Sequence, residues 1–175
     1  NLNKYWSWRN ALQYGKVSAS DENFEDRRTR NLSFESHVWE LNSVFEFNYL
    51  PFGSHVLTKD FSSFVFAGLA AFRFNPRTEF NGNMFELRPL RTEGQSRKDM
   101  YKTIQIAVPF GGGVKYSYKK NWVFAFEVGW RKTFTDYIDD VSTTYPDRDE
   151  QISRSGLLSA ELSDRSWELK EVGEP

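Results

Sequence analysis

This sequence contains several long segments in which large apolar residues alternate strictly with small or polar residues. These segments constrain its fold more than any other feature. Alternation with a period of two is typical of β-strands whose two faces meet different surroundings. Five such segments cover residues 6–14, 31–49, 64–74, 101–118 and 122–134. In the last of them, Trp130 and other aromatic residues take even positions, while Glu127 and Arg131 share odd positions. The sequence therefore predicts an all-β fold with about five long strands in this chain.

Two segments carry an irregularity. The alternation in 31–49 changes parity near Val38 and Trp39, which predicts a β-bulge at that point. In 101–118, Pro109 and the glycines at 111–113 interrupt the pattern, which predicts a kink or bulge within one long strand.

The connections between the segments alternate in length. Residues 20–31, 75–100 and 135 onward form long polar stretches, whereas "KKN" at 119–121 is a tight turn. Long connections at one end of the strands and shorter ones at the other predict an antiparallel up-and-down meander. We expect residues 1–175 to form a single domain.

Composition excludes several classes of protein. The 23 basic and 24 acidic residues nearly balance, which gives no electrostatic reason to expect a nucleic-acid partner. The longest apolar block, "FVFAGLAAF" at 64–72, has about half of the roughly 18–20 residues that a membrane-spanning helix needs. The sequence has no cysteine, so neither disulfides nor a thiolate nucleophile or metal ligand is available.

The residues on the two faces indicate an inside-out arrangement. Aromatic residues, 17% of the chain, cluster toward strand ends on one face, and charged residues occupy the other, as in a transmembrane β-barrel with a polar interior. A soluble sandwich or barrel also alternates and stays open as the alternative. The predicted lipid-facing aromatic girdle comprises Trp6, Trp8, Phe45, Phe47, Tyr116, Tyr118, Trp122 and Trp130. The predicted polar network of the lumen comprises Arg9, Glu35, Glu40, Glu46, Arg73, Glu127 and Arg131.

Several stretches resemble a family of Bacteroidetes outer-membrane β-barrel proteins that includes PorG, a component of the type IX secretion system. They are "RTRNLSFESHVWEL", "FVFAGLAAFRFNP", "ELRPLRTEGQ", "IAVPFGGGVKYSY", "WVFAFEVGWRKTFTDYIDDVSTTYP" and "LSDRS". They follow one another in order from about Arg28 to Ser166, and the combination is more specific than any one of them.

The resemblance implies an eight-stranded barrel in the outer membrane, without a cofactor or enzymatic activity. Its partners would be membrane lipid and a periplasmic ring, formed by a PorK-like lipoprotein and a PorN-like subunit, which the barrel anchors or stabilises. Five strands cannot close a barrel whose edges must all be paired in lipid. We therefore expect the chain to be an incomplete stretch, with a signal peptide, the first strands and the last strand outside it.

The short turns are expected to be periplasmic, as in other barrels of this class. Among them, the segment 50–63 is the longest, and we expect its apolar residues to be exposed beside charged ones. The residues predicted to contact the ring are Leu50, Phe52, His55, Leu57 and Lys59.

Other chemistry is weakly supported. Asp136, Asp139 and Asp140 are candidate ligands for a hard cation such as calcium, but their spacing does not match an EF-hand loop. We predict no catalytic residues. Two alternatives to a secretion role remain open: a small pore or ligand-binding barrel, and a lipid-modifying barrel enzyme that would use His37 or Ser33.

Overall fold

The computed structural model describes residues 2–21, 31–52, 60–93, 100–119, 121–135, 137, 140 and 147–168. Its strands are β1 (Trp6–Ser20), β2 (Ser33–Asn48), β3 (Phe61–Arg73), β4 (Pro76–Phe80), β5 (Asn83–Glu86), β6 (Ile104–Tyr118) and β7 (Trp122–Thr133). Three short helices, α1 (Leu87–Leu90), α2 (Arg148–Ser155) and α3 (Leu157–Ser163), complete the described elements. In this part of the chain, none of the helices has the length and apolarity needed to cross a membrane. The fold is mostly antiparallel β-sheet, as the alternation predicts.

All seven strands belong to one sheet. Its hydrogen-bonded order is β5-β4-β2-β3-β6-β7, and β1 also pairs with β2. The five long strands thus follow one another in chain order, β1-β2-β3-β6-β7, as in the predicted meander. The short hairpin of β4 and β5, whose pairing runs from Arg77↔Glu86 to Phe80↔Asn83, lies within the stretch 75–100 that we expected to be a loop.

The chain divides into two compact units. The first unit comprises Asn1–Gln13, Trp39–Phe72 and Ile104–Phe134, and the second comprises Tyr14–Val38, Arg73–Thr103 and Thr135–Pro175. The second unit therefore contains all three of the long connections, with the β4–β5 hairpin and the helices folded from them.

The sheet of the first unit is strongly curved. In a flat sheet β1 and β7 would lie about 19 Å apart, since four intervals of about 4.8 Å separate them. That separation exceeds what an arginine and a glutamate side chain can bridge. Nevertheless, Nη1 of Arg9 on β1 lies 2.7 Å from Oε2 of Glu127 on β7, so the sheet curls its first and last strands toward each other. Among the described strands, β1 pairs only with β2 and β7 only with β6, which leaves one edge of each open.

The predicted parity change in β2 is wrong. Even-numbered residues from Ser36 through Glu46 to Asn48 face inward, while Trp39 and Leu41 are exposed. What changes along β2 is the character of the inner face. Phe34 packs against the apolar cluster of the second unit, whereas the inner residues after Val38 are mostly polar. The sequence thus switches from apolar to polar on one face, which resembles a change of parity.

The predicted kink in β6 does not interrupt its pairing either. The register with β7 runs without a slip from Ala107↔Thr133 to Tyr118↔Trp122. The glycines are needed for a close approach. A Cβ at Gly111 would lie 2.8 Å from Cζ of Phe66, and one at Gly113 would lie 2.9 Å from Cζ of Phe64. Carbonyl oxygens of β7 would lie closer still, at 2.3 Å from the Cβ of residue 111 and 2.1 Å from that of residue 113. The backbone of β7 and the two phenyl rings therefore occupy the space that side chains would take.

The second unit has its own apolar core. Phe80, Leu87 and Leu162 are buried together, so β4, α1 and α3 pack on one another. Partly buried residues surround this core: Phe34, Phe85, Leu90, Leu158 and Trp167. The cluster explains why parts of the long polar connections fold, because their few apolar residues converge.

Candidate membrane surface and inner ion-pair network

Ion pairs link the strands across the inner face of the first unit. Besides the Arg9–Glu127 pair, Nε of Arg131 lies 2.7 Å from Oε2 of Glu40, and Nη2 of Arg131 donates to Oε1 of Gln13 at 2.6 Å. These contacts join β1, β2 and β7. Charges on a surface that is partly withdrawn from water are stabilised when each has an opposite partner and hydrogen bonds.

A second pair lies closer to the short connections. Nζ of Lys115 on β6 contacts Oε1 of Glu46 on β2, whose side chain is only 2% exposed. The same ammonium lies 4.4 Å from the ring centroid of Phe64 and 5.9 Å from that of Phe52. A carboxylate and two aromatic faces thus surround it, an arrangement that favours a cation.

The inner surface is not uniformly polar. Val44, Phe64 and Phe66 form a buried apolar cluster in the first unit, and the guanidinium of Arg9 lies 5.4 Å from the Phe66 ring centroid. Next to this cluster is a cavity of about 260 Å³. Its lining includes Arg9, Gln13, Asn42, Phe66, Glu127 and Arg131. The cavity is large enough for several waters and has polar partners for them.

The structure brings together five of the seven residues predicted for the polar network. They are Arg9, Glu40, Glu46, Glu127 and Arg131, all on the inner face of the first unit. The other two, Glu35 and Arg73, lie in the second unit. Glu35 contacts Lys16, and Arg73 is exposed at the end of β3.

Three inner residues were not in the predicted network: Lys115, Gln13 and Asn42. Asn42 donates from Nδ2 to Oε1 of Glu40 at 2.9 Å. For Lys115 a signal was available, because it alternates with Val114 and Tyr116, both of which are exposed. The odd position of Lys115 in β6 alone indicates that its side chain lies on the inner face.

The opposite face of the first unit exposes large aromatic and aliphatic side chains. Seven of the eight residues predicted for the girdle are exposed, and Phe47 is half-buried among Tyr5, Trp6 and Tyr49. The seven are Trp6, Trp8, Phe45, Tyr116, Tyr118, Trp122 and Trp130. Exposed aliphatic residues lie between them: Leu12, Leu41, Val65, Leu69, Ile104, Ile106, Val114 and Val128. Water-soluble monomers rarely expose an apolar surface that extends over so many adjacent strands.

The rings of this surface form ordered pairs across neighbouring strands. Trp8 on β1 stacks on Phe45 of β2, with ring centroids 6.1 Å apart and planes 12° apart. Phe110 on β6 stacks on Trp130 of β7 at 6.2 Å. Trp8 also satisfies its indole nitrogen, since Nε1 donates to Oγ of Ser43 at 2.8 Å. The indole N–H of Trp8 is therefore hydrogen-bonded, so the surface that this ring exposes is apolar.

The residues predicted to contact the periplasmic ring proteins do not all lie at the surface. Leu50 is 40% exposed, but Phe52 is buried, with 7% exposure. The prediction that Phe52 is an exposed contact residue is therefore wrong, because its phenyl ring turns inward toward Lys115. His55, Leu57 and Lys59 lie outside the described residues.

Of the candidate metal ligands, Asp140 is described, whereas Asp136 and Asp139 lie outside the described residues. Asp140 is buried and accepts hydrogen bonds from the hydroxyls of Thr92, at 2.6 Å, and Tyr101. The ring of Tyr101 in turn stacks on Phe74 and Tyr137. Asp140 therefore ties the stretch after β7 to the stretch before β6. Within the described ranges, no three His, Asp or Glu side chains are grouped so that they could hold a metal ion.

Two further sets of side-chain contacts in the second unit involve His37 and Glu86. His37 stacks on Tyr14, whose hydroxyl lies 2.5 Å from Nδ1. At the β4–β5 hairpin, a hydrogen bond from Asn75 and then the guanidinium of Arg77 hold the pKa of Glu86 below its usual value. The first contact joins β1 to β2, and the others fix Glu86 at the end of β5.

The family model described as "Domain of unknown function (DUF6089)" matches residues 1–164. No curated protein and no solved structure matches the chain.

Proposed function

We infer that this chain, which belongs to the DUF6089 family, is an outer-membrane β-barrel component of the type IX protein secretion system. The observation that carries the membrane location is the contrast between the two faces of the first unit. The outer face exposes aromatic and aliphatic side chains, whereas the charges of the inner face are paired with one another. This is the arrangement that lipid outside and a polar interior require.

A barrel in lipid leaves no strand edge unpaired. We propose that further strands of the same protein pair with the open edges of β1 and β7, and that the full protein has eight strands. The curvature of the first unit supports this, since its end strands already approach each other closely enough for Arg9 to reach Glu127.

The membrane location can be tested with two neighbouring residues on β7. Phe124 shares the outward parity of Trp130, whereas Val123 shares the inward parity of Glu127, and both are exposed. In lipid, Phe124→Lys should destabilise the full-length protein by up to about 2–4 kcal/mol, and Val123→Lys should have a much smaller effect. Urea unfolding in lipid vesicles, followed by tryptophan fluorescence, measures both. Equal effects of the two lysines would indicate a protein that is wet on both faces and would refute the membrane location.

For the secretion role, we propose that the barrel anchors or stabilises a periplasmic ring built from a PorK-like lipoprotein and a PorN-like subunit. The support is the resemblance of the six sequence stretches, which extend over both units. Affinity purification of the tagged full-length protein from a detergent extract should recover the ring proteins. If the barrel is inserted in the outer membrane and the ring proteins are absent from the purified material, the secretion role is refuted while the barrel stands.

A second candidate function, a small pore or ligand-binding barrel, is favoured by one observation, the polar cavity of about 260 Å³ in the first unit. Such a barrel would bind a small polar solute between Arg9, Asn42 and Arg131, or pass ions beside them. Ion currents through the wild-type protein in a planar lipid bilayer would support this function over a purely anchoring one.

A further inference from the structure

The backbone that follows β2 turns inward and is held in place at two points. Ser62, fully buried on β3, accepts the N–H of Leu50 at its Oγ at 3.1 Å, and the same Oγ lies within donating distance of the carbonyl oxygens of Leu50, at 3.1 Å, and Ser63, at 2.9 Å. Two residues later, the N–H of Phe52 donates to the carbonyl oxygen of Lys4 at 2.9 Å. The path of residues 50–52 is therefore fixed between the start of β1 and the start of β3.

This path places the Phe52 ring on the inner side, although it belongs to a connection between strands. The ring is buried next to the Lys115 ammonium, which is itself paired with Glu46 and lies over Phe64. Two phenyl rings and one ion pair thus lie together in a single layer of the inner face, in which the side chains of Lys115 and Glu46 are both largely buried.

The next layer of the interior is different. Moving along β2 from Glu46 to Asn42, and along β6 from Lys115 to Pro109, leads to the cavity of about 260 Å³ between the Arg9 and Arg131 ion pairs. That layer has a cavity with room for water, whereas in the Phe52 layer two phenyl rings lie around the Lys115 ammonium. We therefore expect a permeation path through the interior to be narrower at the Phe52 layer than at the cavity.

We propose that Phe52, together with the Lys115–Glu46 pair and Phe64, is a built-in seal that closes the interior of the barrel at its short-turn end and prevents ion conduction. A hydrophobic constriction stops ions because it excludes the water that would hydrate them. Among the described residues of this layer, the charges of Lys115 and Glu46 neutralise each other. The inference rests on the proposed membrane barrel, and it assigns to the protein an anchoring role without a pore.

The test is the ionic current through full-length protein in a planar lipid bilayer of phosphatidylcholine and phosphatidylethanolamine. We expect no current steps from the wild type and discrete steps from Phe52→Ala. Phe45→Ala, which removes a ring of similar size from the outer face, is the matched control and should stay silent. Wild-type steps, or an inserted Phe52→Ala that stays silent, would overturn the seal.

A second variant separates loss of the ring from general misfolding. Residues 1–175 contain no cysteine, so Phe52→Cys, made in full-length protein in which any cysteine outside these residues has been replaced by serine, carries a single thiol that can be modified selectively. This variant should conduct, and attaching a benzyl group through a mixed disulfide should stop the current until a reducing agent restores it. Current that does not respond to the benzyl reagent contradicts the proposal. If the wild type does not insert into lipid at all, shown by full protease digestion of its strands in vesicles, the membrane barrel itself is refuted, and the seal with it.

Discussion

The buried Lys115–Glu46 pair should contribute far more to stability than an exposed pair in the same chain. The side chains of Lys115 and Glu46 are 15% and 2% exposed, whereas those of Arg154 and Glu150 on α2 are 56% and 47% exposed. Removing one partner of a buried pair leaves the other charge without compensation and costs about 3–5 kcal/mol. An exposed pair four residues apart on a helix contributes only about 0.3–0.5 kcal/mol.

We therefore expect Lys115→Met to lower the free energy of unfolding by about 3–5 kcal/mol and Arg154→Met to change it by less than about 0.5 kcal/mol. Methionine keeps a long side chain at both positions, so the comparison isolates the charge. The double variant Lys115→Met, Glu46→Leu should recover most of the loss, because it removes both charges and leaves apolar groups beside Phe64.

The assay is urea unfolding of the full-length protein in detergent micelles, followed by tryptophan fluorescence, with the slope of the transition compared between variants. An effect of Lys115→Met no larger than that of Arg154→Met would show that Glu46 is hydrated in the folded protein. A double variant less stable than the single one would show that Lys115 and Glu46 are not coupled.

Three further predictions concern other parts of the chain. Gly113→Ala should lower the free energy of unfolding by about 1–3 kcal/mol, because its Cβ would lie 2.1 Å from a carbonyl oxygen of β7. Gly15→Ala should not, because nothing lies within 4 Å of the added Cβ. Parallel urea titrations compare the two variants. Asp140→Asn keeps a residue that tolerates the positive φ of 71° but loses the carboxylate that accepts two hydroxyls. Thermal unfolding should therefore report a loss of about 1–3 kcal/mol in the free energy of unfolding. An unchanged midpoint would contradict the role of Asp140 in tying the stretch after β7 to the stretch before β6. Because the pKa of Glu86 is lowered from 4.5, its carboxylate stabilises the fold above that pH, and this stability is lost as the pH falls through the lower, folded value. Glu86→Gln should therefore reduce the acid sensitivity of the β4–β5 hairpin, measured by NMR shifts between pH 2 and 6, roughly the range in which carboxyls titrate.

The sequence predicted the long strands because each has two faces with different surroundings, and this difference is visible residue by residue. For β7, alternation alone separates outward Trp130 from inward Arg131. The alternation did not predict the β4–β5 hairpin. A local signal was present, because Asn81 and Gly82, which both have positive φ, form the residue pair typical of a two-residue hairpin turn. The contact of Phe80 with Leu162, which is distant in sequence, carries no such signal.

The inner network was predicted in part for the same reason. Arg9, Glu127 and Arg131 lie in strands of clear parity, so their common side could be derived. Glu35 was misassigned because the inner face of β2 changes from apolar to polar along the strand. Phe52 was misassigned because exposure was expected from its place in a connection, whereas hydrogen bonds of its backbone turn it inward.

The uninterrupted register between β6 and β7 also bears on the order in which the chain folds. Tyr118 pairs with Trp122 and Ala107 with Thr133, so every pair in this ladder can form by extending the one before it, starting from the tight turn. Contacts between residues near in sequence form faster than those that close long loops, whereas the Arg9–Glu127 contact must wait for most of the chain. We therefore expect the β6–β7 hairpin to form before the other strands assemble on it, with its glycines leaving space for Phe64 and Phe66.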